Sequence, residues 1–331
     1  MDGDSELIFV LEKYQIRATK IVSHKNVYKV FTPNSNYALK KMSMEAGKLL
    51  FFLSAMDYLW HNGFYQMSRP VKNNEGELYV GSGPDLYFLT EWVEGSYPDF
   101  SRGEQVDAAV SLLADFHRKG EGFDPPQDCI PRNNLGQWSD KWQQRIKDLK
   151  KMKELAKEKK DDFDQIFLKI VNIALDEASQ ALNVIESAGY LDFSQSQRVL
   201  KPLCHRDFVY HNLLFRDGVT FLIDFEYCVQ DSRVIDLARF IRTTFIHHPW
   251  EIETAERIIW GYQDRYPLTL TEQRMLMAVL IFPHDIWRIG HKWYLSGKKK
   301  RALYHLLCRQ CQCYNQKYQM LKKLEQGFLS L

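Results

Sequence analysis

The segment from 199 to 226 constrains this chain most. Cys204-His205-Arg206-Asp207-Phe208-Val209-Tyr210-His211-Asn212 runs into Leu213-Leu214-Phe215, a turn at Asp217-Gly218, and then Phe221-Leu222-Ile223-Asp224-Phe225. An Asp-Gly pair between two apolar runs is a strong short-range signal for a β-hairpin. The reading is a loop crowded with ionisable and amide side chains, then a hairpin whose second strand ends on a carboxylate. A β-rich island over Val199–Asp224 is thus expected inside a stretch that is otherwise helical from about Gly103 onward.

Those residue types at that spacing point to phosphoryl transfer. The reaction needs an acceptor hydroxyl held in line, and a carboxylate such as Asp207 orients it and takes its proton. It also needs divalent cations to neutralise developing charge, and Asn212 and Asp224 offer hard oxygen ligands for Mg²⁺. His205, Asp207 and Asn212 have the H-R-D-x-x-x-x-N spacing of a kinase catalytic loop, 205–212. The later Asp224-Phe225 pair has the place of the metal loop, 223–226.

A lysine suited to nucleotide phosphates lies upstream, in Tyr37-Ala38-Leu39-Lys40-Lys41-Met42. Strand alternation puts Ala38 and Lys40 on one face and Lys41 on the other. Such a lysine needs a carboxylate to hold it. Glu45, which opens the following helix, is the expected partner; its other reading is a favourable charge at a helix N-terminus.

Composition removes several classes of function. At 331 residues, with about 150 per domain, two lobes or one large domain are allowed. Hydrophobic residues at 45% and charged residues at 26% suit a chain with a sizeable core. Forty-four basic against forty-two acidic residues leave +2, so neither nucleic acid nor an anionic membrane is expected as the main partner. The acidic start, Met1 to Glu6, is unlike a secretory signal. The apolar stretch near Leu49–Met56 is far short of the roughly 18 residues that span a bilayer. Synthesis in the cytoplasm, with no signal peptide and with six reduced cysteines, is the expectation.

Strands are read at Ile16–Val22, Val27–Thr32, Tyr37–Met42, Glu77–Gly81 and Leu86–Val93, with one helix from Leu49 through Leu59 among them. The expected fold is α+β and two-lobed. A small antiparallel β-rich lobe, 1–94, binds nucleotide and joins at a hinge near 90–95 a larger, mainly helical lobe, 95–331. The larger lobe carries the catalytic loop and the metal loop. Residues 141–160 hold nine Lys or Arg and three acids; beside an apolar stripe of Leu149, Met152, Leu155 and Ala156 this reads as a solvated helix face.

Taken together, these motifs resemble the aminoglycoside phosphotransferase and choline kinase superfamily, which has a protein-kinase-like fold. Within it the chain is most similar to the spore-coat CotS-like proteins, over nearly its whole length. The resemblance implies ATP or another nucleoside triphosphate and Mg²⁺ as cofactors, and a spore-coat address. It implies a hinge at Leu89–Gly95 whose backbone at Glu91 and Val93 faces adenine, a helix ending in Leu113-Ala114-Asp115-Phe116-His117, and an aspartate, Asp236, that braces the catalytic loop. It places the phosphate-covering turn at Ser23-His24-Lys25-Asn26, with Ser23 and Asn26 against the nucleotide, and the acceptor pocket near His284, Trp287 and Arg288.

Two departures stand out. The phosphate-covering turn has no glycine, and glycine is what lets backbone amides approach phosphate closely. Glu226 stands where protein kinases have glycine after Asp-Phe. The first expectation is therefore a phosphotransferase acting on a hydroxyl of a small molecule or of a coat protein. The alternatives are a weak or inactive kinase-fold component of the spore coat, or a module that senses nucleotide without turnover. Two clusters carry less. His284, Trp287 and Arg288 are read either as a pocket for an ion or sugar or as aromatic helix packing. Cys308, Cys311 and Cys313, with His305, lie on one helix and drift around its axis, so they are read as thiols rather than as a zinc site. In a coat, intermolecular disulfides through them are a separate expectation.

Overall fold

The computed structural model describes residues 3–159, 161–245 and 250–329. Met1 and Asp2 of the acidic start and Lys160 of the basic run lie outside them. The chain forms two compact units, one of residues 1–133 with 200–236, the other of 134–199 with 237–331. Among the described residues, no helix is long and apolar enough to cross a membrane.

The first unit begins with a helix the strand pattern hides. Helix α1 (Gly3–Lys13) buries Leu7, Val10 and Leu11, and with Tyr14 just beyond its end they cover Val30, Leu39, Val80, Tyr87 and Leu89. Strands β1 (Lys20–His24), β2 (Val27–Phe31) and β3 (Asn36–Met42) follow, then helix α2 (Ala46–His61) and strands β4 (Pro70–Val71), β5 (Val80–Ser82) and β6 (Asp85–Glu91). All pair antiparallel in the order β1-β2-β3-β6-β4, with β5 also on β6.

Strand bounds shift from the expected ones for local reasons. Ile16 packs against the α1 cluster, and pairing begins only at Lys20. The Asn73 side chain accepts the amides of Glu75 and Glu77, each at 2.9 Å, which folds 73–77 into a turn and delays β5 to Val80.

Helix α3 (Gly103–Lys119) leads to strands β7 (Leu203–Cys204), β8 (Leu213–Arg216), β9 (Val219–Leu222) and β10 (Val229–Gln230). Strands β8 and β9 form the expected hairpin. Asp217 and Gly218, at φ 52° and 79°, make the two-residue turn. The island starts at Leu203, not Val199. Val199 and Leu200 finish a helix, 82% and 44% exposed, and a short apolar run does not by itself distinguish helix end from strand. Bridges Met67↔Leu222 and Ser96↔Phe215 tie this hairpin to the sheet-bearing part of the chain. Gly95 permits the approach: a Cβ there would lie 3.1 Å from both the Leu214 Cβ and the Phe215 carbonyl. Residues 205–212 and 223–226 therefore belong to the same compact unit as the sheet, and the units divide elsewhere than at 90–95.

The second unit is helical: α4 (Trp138–Lys159), α5 (Asp162–Ser187), α6 (Tyr190–Leu200), α7 (Val234–Thr244, which starts in the first unit), α8 (Ile252–Gln263), α9 (Leu270–Ile281), α10 (His284–Gly290) and α11 (Arg301–Leu329). Helices α5 and α9 start on capping boxes, Asp161 with Asp164 and Thr269 with Glu272. Helix α4 buries Leu149, Met152 and Ala156 while Lys150, Lys151 and Lys157 stay exposed, the solvated face expected of that run.

Candidate active site

The loop after β7 is held from beneath by one buried carboxylate. Asp236, inaccessible to solvent, accepts the His205 amide at 2.6 Å and the Arg206 amide at 2.8 Å, with His117 Nε2 at 3.3 Å. Burial pushes its pKa up, yet the His117 hydrogen bond and charge, His205 and the Arg206 amide together hold it below the usual carboxylate range. Arg206 sits at φ 66°, a left-handed conformation that costs a non-glycine residue energy. Its amide bond to Asp236 and its Nη1 bond to Asp231 at 3.1 Å keep it there.

Asp207 is positioned by its own loop. The side-chain amide of Asn212 donates to the Asp207 carboxylate at 2.8 Å and to its backbone carbonyl at 2.9 Å. That commits Nδ2 and leaves Oδ1 as the Asn212 atom for a cation. The Asn212 backbone carbonyl in turn accepts the Ile223 amide at 3.0 Å, which joins the 205–212 loop to the start of the 223–226 segment.

His205 is a different kind of residue from Asp207. Its ring is fully buried, edge-on to Phe116 and Phe225 at 6.1 and 5.0 Å between centroids. Burial lowers its pKa, against the pull of Asp236, Asp207, Asp224 and the Ile223 backbone. A histidine with a depressed folded pKa contributes stability that is complete above its unfolded value, about 6.5, and is lost as pH falls from there through the folded value. His205→Leu is expected to flatten the stability–pH curve below about pH 6.5, where one proton accounts for up to about 1.4 kcal/mol per pH unit. Urea titrations from pH 7 to 5 check it; parallel curves for variant and wild type would refute the assignment.

The 223–226 segment carries the second acidic group. Asp224 takes a left-handed conformation, φ 71° and ψ 62°, directly before a short 3₁₀ turn over Phe225–Tyr227. Lys40 Nζ donates to Asp224 Oδ1 and, at 3.3 Å, to Glu226 Oε1. Burial opposes both charges. Lys40 overcomes it at Asp224, whose pKa is lowered; at Glu226 burial and the Asp224 charge win, and its pKa is raised. Hard oxygens at Asn212 and Asp224 fit a divalent cation in chemical type.

Lys40 lies on the expected face. Its ammonium is 5.8 Å from the Phe88 ring centroid, and Phe88 packs on Phe52 of α2. Lys41 points the other way, to Asp85 at 2.8 Å and to Glu6 of α1 at 3.5 Å. The expected Lys40–Glu45 pair is absent. Glu45 is the N-cap of α2, 61% exposed, and pairs with Lys48 at 3.3 Å. The helix starts one residue after it, so its side chain precedes the face that packs on the sheet.

Lys25 and Asn26 form a two-residue turn closed by the His24↔Val27 pair, and Ser23 lies one residue earlier on β1, opposite Tyr28. Lys25 occupies the left-handed region at φ 57°, and the Asn26 carbonyl accepts the Lys41 amide at 2.9 Å. At the hinge, the Glu91 amide is taken by the Arg69 carbonyl at 2.8 Å, while the Val93 amide has no acceptor among the described residues.

Within the second unit, His284 and Trp287 converge on a residue the motifs missed. Arg145 of α4 reaches His284 Nδ1 at 2.9 Å and lies 4.3 Å from the Trp287 ring centroid; Trp287 Nε1 donates to Asp148 at 3.0 Å. Arg288 pairs with Asp285 at 3.0 Å. Arg145 falls inside the basic run, where nothing in the spacing separates it from its solvated neighbours. Asp231 and Glu226 were likewise missed as partners of Arg206 and Lys40. Cys308, Cys311 and Cys313 are free, half-buried thiols on α11.

Comparisons with known proteins agree with this architecture. Spore coat protein S of Bacillus subtilis (strain 168) is 24% identical over 293 residues, 88% of this chain and 83% of that protein. The crystal structure of an aminoglycoside phosphotransferase from Alicyclobacillus acidocaldarius superposes with a TM-score of 0.87 at 23% identity, covering 98% of this chain and 96% of that one. Spectinomycin phosphotransferase, in complex with ADP and spectinomycin, superposes at 0.65 with 14% identity, covering 98% and 99%. The fold is the two-part phosphotransferase fold: an antiparallel N-terminal sheet and a helical C-terminal region. The family described as spore coat putative kinase YutH matches residues 8–324, and the chain belongs to it.

Proposed function

We propose that this protein is a phosphotransferase that moves the terminal phosphoryl group of ATP, or of another nucleoside triphosphate, to a hydroxyl of a small molecule. One observation carries the reading: Lys40 and Asp224, 184 positions apart, meet in an ion pair beside the catalytic loop. Asp207, held by Asn212, orients the acceptor hydroxyl and receives its proton as the oxygen bonds to phosphorus. Lys40 meets the nucleotide phosphates, and the Val93 amide and Glu91 carbonyl meet the base. Bound Mg²⁺ would supply charge neutralisation on the transferred group, with Asn212 and Asp224 as its protein ligands. The spore coat as the place of action follows the family.

A thermal-shift titration with ATP, with and without Mg²⁺, tests the reading. Ligand at about 100 times its Kd stabilises by about 2.7 kcal/mol. The expected result is a shift that needs Mg²⁺ in the wild type and vanishes in Asp224→Ala. No shift at millimolar ATP would reject nucleotide binding. The two-residue turn without glycine then favours a second reading, a coat component whose catalysis is vestigial.

A further inference from the structure

We infer that Glu226, not a helix carboxylate, is the residue that positions Lys40 for the nucleotide phosphates; this rests on the nucleotide-binding reading above. The argument begins with what α2 can offer. Glu45 precedes the helix, is 61% exposed and is engaged with Lys48. Within α2 the only acidic residue is Asp57, and it pairs with Lys72 at 3.0 Å. The helix beside the sheet therefore presents no carboxylate to Lys40.

The metal loop presents two. Asp224 and Glu226 both contact the ammonium of Lys40, whose side chain is only 17% exposed. They are not equivalent, because Asp224 is also the loop's hard ligand for a divalent cation. When Asp224 turns to a cation, a lysine held by Asp224 alone loses its anchor. Glu226 keeps Lys40 at the site through that exchange. The backbone around Glu226 is itself tied down: its carbonyl accepts Arg132 Nη1, and the Cys228 amide closes the 3₁₀ turn on the Phe225 carbonyl at 2.9 Å. The glutamate in the glycine position is thus the compensation for a helix without a suitable acid. A carboxylate two residues past Asp224 reaches the same ammonium from the same rigid turn.

Glu226→Gln and Glu45→Gln decide between the two glutamates, since glutamine keeps the shape and removes the charge. The first readout needs no nucleotide. Lys40 acylation by a small N-hydroxysuccinimide ester is followed by peptide mass spectrometry on the full chain. With Mg²⁺ present, so that Asp224 is turned to the cation, loss of the Glu226 bond frees the amine, and Glu226→Gln is expected to raise the Lys40 labelling rate about tenfold. Glu45→Gln is expected to leave it unchanged. The second readout is ATP affinity in the presence of Mg²⁺, expected to weaken about tenfold in Glu226→Gln and to hold in Glu45→Gln.

Unchanged Lys40 labelling in Glu226→Gln, or a rise in Glu45→Gln instead, overturns the inference. Raised labelling with wild-type ATP affinity overturns it too, since the contact would then be structural only. A wild type that binds no ATP rejects the phosphotransferase reading, and the labelling arm still shows which glutamate holds Lys40. A urea midpoint equal to wild type in Glu226→Gln confirms that the labelled protein is folded.

Discussion

Asp207→Ala is expected to lower phosphate transfer by about 10²–10⁴-fold, the range for losing a positioned general base, while ATP binding stays close to wild type. The loop should survive the change. Asn212 keeps its second bond, to the Asp207 backbone carbonyl at 2.9 Å, and Asp236 continues to hold the His205 and Arg206 amides. Turnover with a hydroxyl acceptor found by screening, together with the Mg²⁺-dependent thermal shift, separates chemistry from binding. Equal turnover in variant and wild type would remove Asp207 from the mechanism. Loss of the thermal shift as well would mean that the substitution disturbed the nucleotide site rather than proton transfer.

Lys317→Met is expected to destabilise the protein by about 3–5 kcal/mol, the usual result of leaving one member of a buried ion pair alone. Lys317 and Glu177 are each 9% exposed at the side chain. The ammonium spends all three protons, on Glu177 Oε1 at 2.9 Å, Oε2 at 2.8 Å and the Ile281 carbonyl at 3.2 Å. One cation thereby fastens α11 to α5 and to the end of α9. Replacing both partners, Glu177→Leu with Lys317→Met, removes the stranded charge and is expected to recover most of the loss. Urea denaturation of the two single variants and the double variant measures the coupling directly. Additive losses would show that the pair does not act as a unit.

The local chemistry was legible in the sequence because it is local. Asp207 and Asn212 are five positions apart, so the spacing of the loop sets their contact. The hairpin that follows is fixed by Asp217-Gly218, residues that accept the left-handed backbone its turn requires. Alternation along 37–42 placed Lys40 and Lys41 on opposite faces, and each is found there with its own partners. Helix α1 was missed for an equally physical reason. Leu7, Val10, Leu11 and Tyr14 keep helical spacing, but Ile8 and Phe9, 55% and 38% exposed, fill the stripe's gaps and blur the period.

Lys40 marks where sequence reasoning stopped. Glu45 is five residues from it and proximity along the chain made it the natural partner, yet it faces solvent. The carboxylates that meet Lys40 come from 184 and 186 positions away. The sequence by itself determined which chemical groups this protein carries and how each short segment spaces them, because strand alternation and turn geometry act over a few residues. Only the tertiary structure decided which of those groups share a charge. An ion pair needs its partners within about 4 Å, and over so long a separation the packing of the sheet against the metal loop sets that distance.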